Sequence, residues 1–63
     1  MDPELKEEIN ELAELFYKSD GYRVSAGFDF SESNHPQEIG HWNKALIAYC
    51  FFNDEFELLD YQV

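Results

Sequence analysis

Apolar residues recur along the first part of the chain with a helical period. Leu5, Ile9, Leu12, Ala13 and Phe16 fall at i, i+4, i+7, i+8 and i+11, which puts them on one face. Asp2-Pro3 offers a capping carboxylate and a residue suited to the first helical position. Glu4, Glu7 and Glu8 lie in the first two turns, where the helix dipole favours anions, and Lys18 lies near the other end. Ser19-Asp20-Gly21 interrupts the run, so the pattern predicts a helix over about residues 3–18.

The period then changes. From 22 to 30, Tyr22, Val24, Ala26, Phe28 and Phe30 alternate with Arg23, Ser25, Gly27 and Asp29, a strand pattern. One strand needs a partner and Gly27 weakens it. A paired hairpin, an edge contact with another subunit and an extended loop held by its aromatics all stay open. Residues 31–34 form a loop rich in helix caps, and Asn34 or His35, with Pro36 and Glu38, opens a second helix over about 35–52. On that helix Ile39, Trp42, Ala45, Leu46 and Tyr49 share one face, Ile47 and Phe51 point to the opposite side, and Cys50 and Phe52 lie between. Its second half is therefore apolar nearly all round, and the first helix covers only one side of it.

The same eight apolar residues, 45–52, also fit a buried strand that turns at Asn53-Asp54 and pairs with 55–63. In the helical reading, Asp54 and Glu57 have capping-box spacing, with Phe56 and Leu59 on one side and Leu58 and Tyr61 beside them. That predicts a short helix over about 54–61, packed on the Ile47/Phe51 side. The expected fold class is mainly α, a small helical hairpin with an extended aromatic loop and a short C-terminal helix. The alternative is α+β, with a small antiparallel sheet from 22–30, 45–52 and 55–63.

Length sharpens the problem of the exposed apolar face. A chain of 63 residues makes a single domain, 1–63, and a domain of about 60 residues buries only about 60% of its unfolded surface. Disulfides cannot supplement that core, because Cys50 is the only cysteine and reads as a reduced structural thiol. One Cys and two His do not make an ordinary zinc site. Association with a protein partner or with further copies of the chain is the supplement left, so a homo-oligomer is expected. Fourteen acidic residues against four basic ones give a net charge of −10. That balance argues against direct nucleic-acid binding and against anionic membranes, both of which need clustered Lys and Arg. No basic-then-apolar leader opens the sequence and no apolar run approaches a membrane span, so a cytoplasmic protein is expected.

Few residues carry recognisable chemistry. Glu38 and His41 have the Glu-x-x-His spacing that di-iron carboxylate bundles use, and glutamates of the first helix, such as Glu8 or Glu11, would have to complete the site in an oligomer. The plainer reading is a solvated first turn with Glu38 as a cap. His35 and His41 invite a pH switch, against the plainer roles of cap and boundary residue. Ser25, Ser31 and Ser33 show no triad arrangement, and no glycine-rich phosphate loop is present. No cofactor is expected. Two acidic surfaces stand out: Glu7, Glu11 and Glu14 with their helix neighbours, and Asp54, Glu55, Glu57 and Asp60 in the tail. Such rows either imitate nucleic-acid phosphates or form a solvated surface. The aromatic-rich segment and the outer side of the second helix, Tyr22, Val24, Phe28, Phe30, Ile47 and Phe51, form the expected partner-binding set.

The expectation is a small acidic non-enzymatic protein that binds another protein and regulates or inhibits it, of the kind phages and mobile elements encode. A nucleic-acid mimic that blocks a DNA- or RNA-binding enzyme is one alternative, and an oligomeric di-iron carboxylate protein is the other.

Overall fold

Asp2 starts the first helix from the position its sequence context predicts. In the computed structural model, which describes residues 2–54, its carboxylate accepts the Glu4 N–H at 2.9 Å. Helix α1 runs over Pro3–Ser19. It ends in a Schellman motif, because the Gly21 N–H donates to Lys18 O at 3.0 Å and the Tyr22 N–H to Tyr17 O at 3.1 Å. Gly21 has φ +94°, a conformation that residues with a Cβ rarely adopt. Tyr22 then stacks on Tyr17 with ring centroids 4.8 Å apart, the apolar contact that such motifs favour.

Helix α2 runs over Pro36–Asn53. His35 is its N-cap, accepting the Gln37 N–H on Nδ1 at 3.3 Å, and the Glu38 carboxylate accepts the Ser33 hydroxyl. The helix stops at Asp54, which is left-handed at φ 56° and donates its N–H to Cys50 O. Asp54, expected to open a third helix, therefore closes the second. The rest of the expected 54–61 helix, with Glu55, Glu57 and Asp60, lies outside the described residues.

The sheet alternative does not hold. Residues 45–52 lie within α2, and no strand occurs among the described residues. The alternating 22–30 segment is broken by a turn in which Phe28 N–H donates to Ser25 O at 3.1 Å, with Gly27 at φ +78°. A short 3-10 turn, Phe30–Glu32, follows. Third strand residues 55–63 lie outside the described region.

The two helices and the 3-10 turn share one core. Its fully buried members are Ile9 and Ala13 of α1, Ala45, Leu46 and Cys50 of α2, and Phe30 from the loop, with Tyr17 nearly so. Leu5, Leu12, Phe16, Val24, Phe28, Trp42 and Tyr49 pack around it. The face expected of α2 is turned from the one observed. Ile39 is exposed, and His41 and Cys50 are buried in its place. The reason is the loop. Phe30 and Tyr22 pack beside α2 next to Tyr17 of α1 and widen the interior there, and His41 meets both Tyr rings edge-on.

Candidate protein-binding surfaces

One asparagine braces the far end of the aromatic loop. Asn10 lies next to buried Ile9, at the edge of the core face of α1. Its Nδ2 donates to Asp29 Oδ1 at 3.0 Å and its Oδ1 accepts the Phe30 N–H at 2.9 Å. Asp29 also accepts the Ser31 N–H at 3.0 Å and hydroxyl at 2.6 Å, and pairs with Lys6 at 3.1 Å. Burial pushes the Asp29 carboxyl upward, but hydrogen bonds from Ser31, Asn10 and Lys6 outweigh it and hold it at about 2. A spacing of nineteen residues leaves no local sequence signal for the Asn10–Asp29 bond, and neither residue is in the expected site set.

This bracing seats Phe30 in the core and sets Phe28 against it, edge to face, with centroids 5.0 Å apart. Phe30 was expected on a contact surface; at 1% exposure it is interior. Tyr22 is engaged in the α1 stop, where its hydroxyl also accepts from Gln37 Nε2 at 2.9 Å. Val24 and Phe28 are half-buried. Phe28 lines a groove of about 480 Å³, and Glu7, Glu11 and Glu14 line it from α1. The aromatic segment and the acidic row, separate in the sequence, meet there.

A second junction joins the end of α1 to α2. His41 places Nδ1 2.6 Å from the Gln37 carbonyl oxygen and Nε2 2.6 Å from Asp20 Oδ2. The hydrogen bond from His41 holds the Asp20 carboxyl below its ordinary value, against the opposing effect of burial, and Lys44 at 3.6 Å adds to it. Both His41 nitrogens are thus engaged, and Glu38 is bonded to Ser33. Among the described residues no group of three or more His, Cys, Asp or Glu side chains is arranged to hold a metal ion. Glu8 and Glu11, suggested as completing ligands, are exposed on α1.

Ile47 and Phe51 lie where their spacing put them, one turn apart on α2 and away from α1. They are 52% and 70% exposed, and the adjacent Phe52 is 81% exposed, its ring edge-on to Phe51. No helix among the described residues is long and apolar enough to cross a membrane. Comparison of the chain with protein-family models, curated proteins and solved structures found no match.

Proposed function

We propose that the chain is a non-enzymatic accessory protein that binds another protein through the outer side of α2 and alters its activity by occupying it. The observation that carries this reading is the cluster of Ile47, Phe51 and Phe52, three large apolar side chains each more than half exposed within six positions. Apolar surface of this kind, bordered by the polar Asn43 and Lys44 one turn earlier, is the usual core of a protein interface. Covering Ile47 and Phe51 stabilises a complex by about 1–2 kcal/mol each, and aromatic anchors commonly dominate such contacts. The non-enzymatic part draws support from the reactive groups. His41, Glu38 and Asp29 are bound into structural hydrogen bonds, and Cys50 is buried.

The test compares wild-type protein with the double variant Ile47→Asp, Phe51→Glu as bait for proteins of the host cell. Circular dichroism should show the same helix content in both, since the two positions face away from α1. A partner held by wild type and lost by the double variant is the expected result. Equal capture by both would rule the stripe out as the contact.

A further inference from the structure

We infer that the groove between α1 and the 27–29 turn is a docking site for an arginine-bearing segment of a protein partner. This extends the protein-binding reading to a second surface, and it stands or falls separately from the α2 stripe.

The groove has the size of a ligand site, about 480 Å³, within the range of ~300–1,000 Å³ that takes small ligands. One wall is a strip of α1, with Glu7, Glu11 and Glu14 at i, i+4 and i+7. The other wall is Gly27, Phe28 and Asp29. Gly27 has no atom within 4 Å of where a Cβ would stand, so the wall leaves room at that point.

Charge selects the occupant. Lys6, the cation among the lining residues, is committed to Asp29 at 3.1 Å and Glu32 at 3.3 Å. Lys18 is committed to Glu14 at 2.9 Å. Glu7 and Glu11 have no ion pair or side-chain hydrogen bond among the described residues. The groove therefore presents uncompensated carboxylates on one wall and an aromatic residue on the other. A guanidinium satisfies both walls, because its fork of N–H donors matches carboxylate oxygens and its plane stacks on a phenyl face. An ammonium satisfies the carboxylates and fits the ring less well. A phosphate chain fits neither.

The experiment titrates the full chain, labelled with nitrogen-15, with a capped Gly-Arg-Gly-Arg-Gly peptide and with its lysine counterpart. Expected are amide shifts concentrated at Glu7, Glu11, Gly27 and Phe28, and binding at least about threefold tighter for the arginine peptide. Phe28→Leu should weaken binding by roughly fivefold. Glu7→Gln with Glu11→Gln, both exposed and remote from the core, should weaken it about tenfold at low salt. Thermal melts check that each variant is folded, and the glutamine pair carries the test if Phe28→Leu is not. Equal binding of both peptides, shifts spread over the whole acidic surface, or no binding at millimolar peptide would each overturn the inference. Ile47 and Phe51 are untouched in every variant, so the stripe can survive the loss of the groove.

Discussion

Asp29 shows how much one side chain carries in a chain this small. It receives hydrogen bonds from Asn10 and from the Ser31 backbone and hydroxyl, and it pairs with Lys6. Replacing it with Ala should cost about 1–2 kcal/mol in urea unfolding, the loss of a cap whose acceptor is charged. Its carboxyl sits at about 2 in the folded chain against an ordinary 3.8. The unfolded chain therefore takes up a proton more readily, so this contribution is complete above 3.8 and disappears as the pH falls through about 2. The stability difference between wild type and Asp29→Asn should shrink across that window; a constant difference would show that the carboxylate charge is irrelevant. Asp20, also held low, acts in the same direction. Cys50 offers a second check at this scale. Its thiol is fully buried, so labelling by a thiol reagent should be slow in the folded chain and fast in denaturant. Equal rates would place it at the surface.

The elements explain which parts of the fold were legible. Both helices follow from local chemistry: Asp2-Pro3 and His35-Pro36 start them, and the apolar spacing of α1 sets its inner face. The stop at Gly21 was visible as a breaker, but the Tyr17–Tyr22 stack that completes it was not: Tyr17 follows Ile9 and Ala13 at i+4 steps, yet nothing in that spacing pairs its ring with a residue beyond the turn. The 22–30 alternation looks like a strand because it has the right period. Period alone does not supply a partner strand, and Gly27 takes the turn instead. The groove was half legible, since both walls were named as surfaces but nothing in the sequence joins them. Gly21→Ala should destabilise the chain by about 1–2 kcal/mol. No atom would obstruct the added Cβ, so the loss is conformational, and Gly21→Asn should recover part of it. Thermal melting of the three proteins measures this; an unchanged midpoint in Gly21→Ala would show that the left-handed stop is dispensable.

At the scale of the molecule, seven buried apolar residues among those described support a chain with a net charge of −10. Self-repulsion opposes compaction, and association is one way such a small domain gains further burial. If no other protein is present, the exposed Ile47–Phe51 surface should draw copies of the chain together. Sedimentation equilibrium at micromolar concentration should then show an oligomer that Phe51→Glu returns to monomer without loss of helix. Monomeric wild type at that concentration would leave the stripe to a different partner.

The two anchors of the aromatic loop also decide where this chain can change length. Tyr22 is fixed by the α1 stop, and Asp29 and Phe30 are fixed by Asn10. Between them Arg23, Ser25, Ala26 and Gly27 are exposed. Two glycines inserted after Ser25 should bulge outward and leave the melting midpoint nearly unchanged, whereas the same insertion between Phe30 and Ser31 should lower it sharply. An insertion of that first kind reshapes the wall that Phe28 contributes while leaving both anchors in place. A change of length at that one spot should therefore redraw the groove while the helical scaffold stays the same.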